Sequence, residues 1–493
     1  MTSVACKAAK SGMFLITLLA LLVLAVPLLP QHAPTGWTSS TDLPIRPLTL
    51  RAHDRVLVLA PHPDDDVLGC GGVIQQALQM HLPVRVCFLT CGDANEWSFL
   101  TWSHRMPVTP GAVLAMGGRR HDEAVRGEAR LGQPADGLTF LGYPDAGTLA
   151  MFTSHWRPSP PYRAVFPRAT SVPYRFALRP GAPYVANSVL ADLTQVIRNF
   201  RPTCIFVSHP LDQNVDHRAL YLFTRVVLWH VHLVPKPRLY PYLVHMSGWP
   251  KPGGLHPDLD LPVCTAFPGD VCWKVLHLDG PEVAVCERAI RAHQTQMSYS
   301  ATYLLSFIRR TELFGDLKEV RPGGRSAQPA SVATQERAPP SGESYRVEVG
   351  TTLSPAPGRR RVDISVEPVR LGGREWRFLR CAHGYLELGL QYARPIALET
   401  HAVFHFFGDR SDRPFPRMPH ITVSVSPIST RVYDGRKLLP SRTVLVRRTD
   451  HETVVGVSLK SLAFPRHVLV SALSSVGGVN LDYDWWATVT MPR

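Results

Sequence analysis

The sequence lacks the motifs that mark several common classes of protein. Its 9 cysteines in 493 residues include no C-x-x-C pair and form no dense framework, which argues against a small disulfide-stapled scaffold. No zinc knuckle or aromatic-rich RNA-binding motif occurs, so we expect no nucleic acid among the partners. The glycines of "GCGG" at 69–72 lack G-x-G-x-x-G spacing, and the aspartates before them would repel a pyrophosphate. A dinucleotide-binding domain is therefore disfavoured.

Negative charge is also scarce. The chain has 39 Asp and Glu against 53 Lys and Arg, a formal net charge of +14. Such a surplus favours an anionic membrane or an acidic polysaccharide as a surrounding surface. The arginines are scattered along the chain, so a merely solubilising role is an equal alternative, and the oligomeric state is left open. With 45% hydrophobic residues, the chain can bury cores for two or three domains.

The N-terminus carries a long uncharged apolar run. Lys7 and Lys10 precede the stretch 13–29, which exceeds a usual signal-peptide core and just reaches the length of a membrane-spanning helix. No small-x-small cleavage site follows, because Gln31 stands three positions before the expected cut. We expect residues 1–35 to be a signal or, preferably, an uncleaved membrane anchor. The positive flank would then leave the rest of the chain outside the cytoplasm.

Buried strands alternate with helices between residues 50 and 320. The runs "RVLVLA" at 55–60 and "VRVCFLT" at 84–90 enclose the helical pattern "GVIQQALQM", which predicts a βαβ unit with parallel strands. Two further strands, "GLTFLG" and "TCIFVSH", and two amphipathic helices, at 188–200 and after Asp216, continue the series. This pattern predicts an α/β domain with a Rossmann-like, mostly parallel sheet.

The composition changes after this domain. Residues 321–344 are rich in Pro, Gly, Ser and Ala and predict a flexible linker. Residues 345–493 show strand alternation and a hairpin turn at "DGRK", which begins at Asp434, so we expect a sandwich-like all-β accessory domain. Its adjacent Trp485 and Trp486 could bind carbohydrate, but a core position is favoured for at least one of them. A packing or partner-binding role is the default for this domain.

Two cysteines flank a possible turn. Cys264 and Cys272 enclose "TAFPGDV", which could fold back and bring their sulfur atoms together. An ordinary pair of buried thiols is an equally good interpretation.

An acidic cluster follows the first predicted strand. The motif "PHPDDD" places a histidine and three carboxylates where ligands bind in open α/β sheets, at the carboxyl end of a strand. So much negative charge in one turn is costly unless a cation or hydrogen bonds compensate it. His62 and Asp65 could supply two ligands of a catalytic zinc, which typically needs three.

A second loop offers the missing ligand. The stretch "SHPLDQNVDHRAL" also follows a buried strand, about 150 residues further along the chain. We favour His217, preceded by Asp216, as the third ligand, with His209 as its competitor. Each motif alone could be an aspartate that caps the next helix. Their shared position after buried strands makes a common site the better interpretation.

The chain resembles a known family at these residues. The motifs "APHPDDD" with "GCGG", "RRHDEAVRGEARLG", "FLGYPDAG", "HPLDQNVDHRAL" and, more loosely, "CERAIRAHQTQ" occur in the order seen in the PIG-L/LmbE zinc-dependent deacetylases, across residues 53–318. These enzymes remove N-acetyl groups from N-acetylglucosamine linked to inositol, phosphatidylinositol or other aglycones. The resemblance is specific for the domain and unspecific for the substrate.

The resemblance implies roles for individual residues. By position in the motifs, His62, Asp65 and His217 would bind zinc or another divalent metal. Asp64 would act as the general base, and Asp216 would orient or tune the site.

Two further positions resemble substrate-contacting residues, and two depart from the family pattern. Arg120 and Asp145 match substrate-contacting positions, although a surface charge and a turn residue are the alternatives. Asp66 stands where the family usually has glutamate. Asn214 stands where it often has a histidine, and asparagine cannot shuttle a proton. Asp64 would then serve as both base and acid in a slow enzyme.

The predicted reaction is the removal of an acetyl group from an N-acetylated amino sugar by zinc-activated water. Asp64 would take the proton of the water and pass it to the departing amine. An amidase of the same family that acts on a non-sugar or thiol-conjugate amide is one alternative. A non-catalytic carbohydrate- or surface-binding protein is the other, and Asn214 and Asp66 are its best support.

Overall fold

The computed structural model describes residues 45–94, 109–264, 271–317, 319–320, 375–382, 384–392, 399–449, 451–477, 479–480 and 485–491. All of them belong to one compact unit, Leu43–Arg493. The N-terminal segment 1–35, the predicted linker 321–344 and residues 345–374 of the predicted accessory domain lie outside the described residues. Within the described ranges, no helix is both long and apolar enough to cross a membrane.

The first part of the chain forms an eight-stranded sheet with the order β1-β7-β8-β6-β5-β2-β3-β4. Its strands are β1 Arg46–Pro47, β2 Val56–Ala60, β3 Val84–Thr90, β4 Leu138–Tyr143, β5 Cys204–Ser208, β6 Arg238–Tyr242, β7 Val271–His277 and β8 Thr311–Leu317. Neighbouring strands pair in parallel, except that β8 runs antiparallel to β6 and β7. The predicted Rossmann-like, mostly parallel sheet is confirmed.

Helices cover both faces of this sheet. They are α1 Asp65–Gln79, α2 Pro110–Leu131, α3 Thr148–Ser154, α4 Ala186–Phe200, α5 Val215–His230, α6 Gly280–Ile290 and α7 Gln294–Leu305. Strand β2 shows the layering, because Val56 and Val58 face the core under α1 and α6, while Leu57 and Leu59 face the core under α4 and α5. A strand that is buried on both faces has a continuous apolar sequence, as β2 does.

The order of the strands creates a switch point between β2 and β5. From β2 the chain continues to β3 on one side, whereas β5 pairs with the other side of β2. The loops that leave the carboxyl ends of β2 and β5 therefore begin side by side at this point. Ligands of open α/β sheets bind at such a point.

The C-terminal part consists of antiparallel strands in two sheets. One sheet has the order β15-β16-β10-β9, and the other has the order β14-β13-β12-β11-β17-β18, with β19 paired to β17. The strands are β9 Glu375–Ala382, β10 Tyr385–Tyr392, β11 Thr400–Asp409, β12 His420–Val425, β13 Thr430–Asp434, β14 Lys437–Leu439, β15 Val444–Arg448, β16 Glu452–Ser458, β17 His467–Val476, β18 Val479–Asn480 and β19 Trp485–Thr490. Both sheets contribute to one apolar core, as a sandwich requires. The hairpin turn predicted at Asp434 is confirmed.

Aromatic side chains join the two parts. Phe152 of α3 packs edge-to-face against Trp486 of β19, with ring centroids 5.8 Å apart, and against Phe223 of α5 at 5.0 Å. Phe407 and Phe415 of the C-terminal part complete the cluster. Burying side chains of this size contributes roughly 1.5–3 kcal/mol each. The accessory sheets are thus held to the α/β layer by an apolar contact.

The structure answers two questions that the sequence left open. Trp486 is 2% exposed, so the expectation that at least one of the two tryptophans is a core residue is confirmed. No disulfide joins cysteines within the described residues, where Cys264 is buried and Cys272 is half-buried.

Candidate metal centre

The loop after β2 brings His62 and Asp65 together locally. Strand β2 ends at Ala60, and helix α1 begins at Asp65, so this carboxylate lies in the first turn, where the helix dipole favours negative charge. Its Oδ2 atom accepts a hydrogen bond from the backbone N–H of His62 at 2.9 Å and lies 3.0 Å from the Nδ1 atom of the same residue. The short loop therefore holds both side chains in one orientation.

The loop after β5 delivers His217 to the same place. Asn214 caps helix α5, because its side-chain oxygen accepts a hydrogen bond from the N–H of Asp216 at 2.8 Å. His217 then lies in the first turn of α5, and its Nε2 atom lies 3.0 Å from Oδ2 of Asp65. The rings of His62 and His217 are 5.3 Å apart. The two remote loops converge, as the sequence analysis requires.

The imidazole of His217 is buried without good hydrogen bonds. It is 0% exposed, and its two nitrogens lie 3.0 Å from Asp65 and 3.1 Å from Asp212, yet neither contact has the geometry of a hydrogen bond. Burial alone would lower its pKa, but Asp212 and Asp65 raise the pKa of His217 to about 9. Burial also acts to lower the pKa of His62, but the carboxylates of Asp145, Asp216 and Asp65 raise it well above its usual value. The pocket therefore favours added positive charge.

These residues fit a divalent cation. One ligand atom each from His62, Asp65, His217 and His245 lies within 4.8 Å of the other three. Imidazole nitrogens and a carboxylate oxygen are donors that zinc prefers. A cation among them would give the nitrogen of His217 that faces Asp65 a partner and would offset the carboxylate charge.

Carboxylates stand behind both imidazoles of the predicted ligand set. The Nε2 atom of His62 lies 3.2 Å from Asp216 and from Asp145, and the Nδ1 atom of His217 lies 3.1 Å from Asp212. Metal-binding histidines usually give their second ring N–H to such a group, which fixes the tautomer and the ring orientation. The arrangement leaves Nδ1 of His62 and Nε2 of His217 to face Asp65.

A second cluster, formed by His62, Asp145 and Asp216, is already satisfied by hydrogen bonds. The carboxylate of Asp216 accepts from the N–H of Ala146 at 2.6 Å and from both the N–H and the hydroxyl of Thr148, at 3.0 and 2.5 Å. Asp216 therefore ties the "YPDAG" loop to α5 and orients His62. It lies outside the four-residue metal cluster.

Asp64 lies beside the cluster without joining it. Burial raises the pKa of its carboxyl to about 7, against the opposing charge of Arg120. The guanidinium of Arg120 lies 3.2 Å from Oδ1 of Asp64 and also donates to the carbonyls of Gly92, at 2.7 Å, and Pro63, at 3.3 Å. Arg120 is 4% exposed, so in this structure it positions Asp64. Its predicted contact with a substrate stays a prediction.

The other predicted residues differ in their surroundings. Asp145 accepts a hydrogen bond from the N–H of Ala94 at 2.8 Å, and its side chain keeps 11% exposure at the site. Asn214 uses its amide oxygen as a helix cap. Asp66 is fully buried, and its carboxyl lies beside that of Glu128; burial raises its pKa to about 6.

His209, the competitor of His217, belongs to neither cluster. Its Nδ1 accepts a hydrogen bond from the N–H of Leu211 at 3.1 Å, and its ring lies parallel to that of Trp273. Burial lowers its pKa to about 3. Of the two histidines weighed for the third ligand, the structure brings His217 to the cluster.

Sequence reasoning missed Asp212 and His245. Asp212 lies within the quoted motif "HPLDQNVDHRAL", so its proximity to His217 was a signal that could have been used. His245 follows β6 and has no flanking motif. Only the position of β6 next to β5 in the sheet could have indicated it.

One family model and one curated relative match part of this chain. The family model described as GlcNAc-PI de-N-acetylase (PIG-L) matches residues 57–228. A glucosamine-6-phosphate deaminase-like protein from Bacteroides thetaiotaomicron is 34% identical over 67 residues, which are 13% of this chain and 10% of that protein. This chain thus spans about a tenth of the length of that curated relative.

Two solved structures each match about half of this chain. The N,N'-diacetylchitobiose deacetylase from Pyrococcus horikoshii is 18% identical, with a TM-score of 0.33 over 53% of this chain and 82% of that chain. A deacetylase of the teicoplanin biosynthesis pathway is 16% identical, with a TM-score of 0.31 over 49% of this chain and 85% of that chain.

Proposed function

Because residues 57–228 form a domain of the PIG-L family, we propose that this protein is a zinc-dependent deacetylase that acts on an N-acetylated amino sugar. The observation that carries the proposal is the convergence of His62, Asp65 and His217 on one point, with Asp64 beside them. The family description supports N-acetylglucosamine in a glycolipid or glycoconjugate as the substrate class.

The chain's own residues can carry out the proton transfers. When bound at His62, Asp65 and His217, a divalent ion supplies positive charge that acidifies an attacking water and polarises the acetyl carbonyl. Asp64, held by Arg120, takes one proton of this water as the water oxygen bonds to the acyl carbon. The carbon–nitrogen bond then breaks, and Asp64 gives its proton to the leaving nitrogen. Acetate and a free amine result.

Burial raises the pKa of Asp64, which makes its carboxylate a stronger base than an exposed one. Arg120 favours the ionised form and fixes the position of the carboxylate. The amide of Asn214 cannot replace Asp64 in these proton transfers, because an amide can donate a hydrogen bond but cannot shuttle a proton.

One observation favours a second candidate, a non-catalytic carbohydrate- or surface-binding protein. Asn214 occupies the position where the family often has a histidine, and its oxygen is used as a helix cap. In this case the pocket would bind a metal and a sugar without releasing acetate.

We also propose that the segment 1–35 keeps the α/β domain exported or membrane-anchored, outside the cytoplasm. The support is the apolar run 13–29 behind Lys7 and Lys10. The net charge of +14 supports an anionic membrane or polysaccharide as a neighbouring surface.

The test is acetate release by the full chain and by Asp64→Asn. The panel contains N-acetylglucosamine linked to inositol, to a lipid and to a second sugar, with a non-sugar N-acetyl thiol conjugate as the amidase arm. We expect wild type to release acetate from at least one amino sugar and Asp64→Asn to release it at least about 100-fold more slowly. Metal content, measured by mass spectrometry, should be equal in the two proteins.

Three outcomes would contradict the proposal. Release from the thiol conjugate alone would favour the amidase, and metal binding without release from any compound would favour the binding protein. Equal activity of Asp64→Asn and wild type would remove Asp64 from the mechanism.

A further inference from the structure

Three histidines, and not two, surround the carboxylate of Asp65. We infer that His245 is a fourth protein ligand, so that the metal is held by three imidazoles and one carboxylate. The inference rests on the proposed metal site but not on the reaction proposed for it. His245 belongs to none of the motifs that carry the resemblance to the family.

The backbone of His245 is placed by the same carboxylate that faces His217. Oδ2 of Asp212 accepts hydrogen bonds from the N–H of Val244 at 3.0 Å and of His245 at 2.8 Å, and it lies 3.1 Å from Nδ1 of His217. One buried oxygen thus connects the residues after β6 with the first turn of α5. Because β6 is the parallel neighbour of β5, the segment after β6 places His245 beside the loops that follow β2 and β5.

The ring of His245 is aimed at the cluster. It meets the ring of His217 edge-to-face at 4.7 Å and 74°, and one of its nitrogens lies within 4.8 Å of the ligand atoms of His62, Asp65 and His217. Tyr303 backs the ring at 6.1 Å, and its hydroxyl donates to the carbonyl of Val244 at 2.6 Å. The geometry therefore presents a nitrogen donor to the same point as the other three residues.

Catalytic zinc sites typically have three protein ligands and keep the fourth position for water. A fourth protein ligand would compete with that water and would therefore slow the turnover of any amide substrate.

The inference is tested by metal affinity, which does not depend on turnover. The full chain, His245→Ala and His245→Gln are titrated with Zn²⁺ against a chromophoric chelator, and His277→Ala serves as the control, because His277 is an exposed histidine at the end of β7. We expect His245→Ala to bind Zn²⁺ at least about 10-fold more weakly than wild type. His245→Gln should lie between them, and His277→Ala should equal wild type.

X-ray absorption of the Zn²⁺-loaded wild type counts the imidazoles directly and needs no variant to fold. We expect three imidazoles in wild type and two in His245→Ala. Two imidazoles in wild type, or equal affinity in wild type and His245→Ala, would overturn the inference. If the wild type shows three imidazoles but releases acetate from no compound, the proposed deacetylase function is wrong and the assignment of His245 as a ligand stands.

Discussion

The candidate metal pocket and the contact between the two parts of the chain each bury a histidine, with opposite effects on its pKa. His217 is 0% exposed among carboxylates, and Asp212 and Asp65 overcome the effect of burial to raise its pKa to about 9. His420 is 3% exposed among aromatic rings, and burial lowers its pKa to about 3. Both rings contain a nitrogen without a well-formed hydrogen bond.

The comparison shows that burial alone does not identify a ligand. The ring of His420 lies 4.8 Å from those of Trp156, Phe407 and Phe415, which offer no charge to balance a cation. The ring of His217 lies between two carboxylates supplied by different loops. Converging negative charge, and not a buried imidazole, therefore marks the site where a metal is expected.

The largest expected effect separates these two histidines by metal content. We predict that His217→Ala loses most of its bound metal, because the substitution removes the imidazole whose nitrogens lie 3.0 Å from Asp65 and 3.1 Å from Asp212. His420→Leu should bind as much metal as the wild type. Mass spectrometry of the purified proteins measures both. Loss of metal from His420→Leu, or its retention by His217→Ala, would break the comparison.

A smaller effect is expected from the carboxylate behind His217. We predict that Asp212→Asn binds Zn²⁺ about 10- to 100-fold more weakly than wild type, because the ring of His217 loses the negative charge that lies 3.1 Å from its Nδ1 atom. Competition with a chromophoric chelator measures the affinity. Asp136→Asn, a change at an exposed turn outside the pocket, is the matched control. An unchanged affinity in Asp212→Asn would show that this carboxylate serves only the backbone of residues 244 and 245.

A third effect concerns stability in acid. Between pH 6.5 and about 3, an unfolded chain protonates His420 whereas the folded chain keeps it neutral, so the unfolded state binds more protons. The contribution of His420 to the free energy of unfolding therefore falls as the pH falls, by up to about 1.4 kcal/mol per pH unit. We predict a shallower loss of stability in His420→Leu, measured by urea unfolding between pH 4 and 7. If the free energy of unfolding depends on pH equally in the two proteins, the folded protein protonates His420 as readily as the unfolded chain does, and the prediction is wrong.

The sequence predicted those parts of the site that depend on neighbours along the chain. His62 and Asp65 are three positions apart in a short loop, and a strand that is buried on both faces ends just before them. His217 was chosen because it follows a second strand of the same kind. Parallel strands place such loops at one edge of the sheet, so their meeting followed from the fold class.

The remaining parts depend on contacts between elements far apart in sequence. Arg120 lies on α2, but its guanidinium reaches Asp64 at the start of α1, a pairing that no local pattern indicates. The partnership of Asp66 with Glu128 is hidden for the same reason. Asp212 lies within the motif "HPLDQNVDHRAL", but its role could not be predicted, because its two backbone partners come from the segment after β6.

By itself the sequence determined the layered α/β domain, the antiparallel strands after it and the two acidic loops, because apolar periodicity and strand-end motifs are local properties of the chain. Only the tertiary structure decided that His245 joins the cluster, that Arg120 faces Asp64 and that Trp486 is covered by Phe152. Each of these depends on which strands and helices become neighbours, and that choice is made by packing across the whole core rather than by any short stretch of residues.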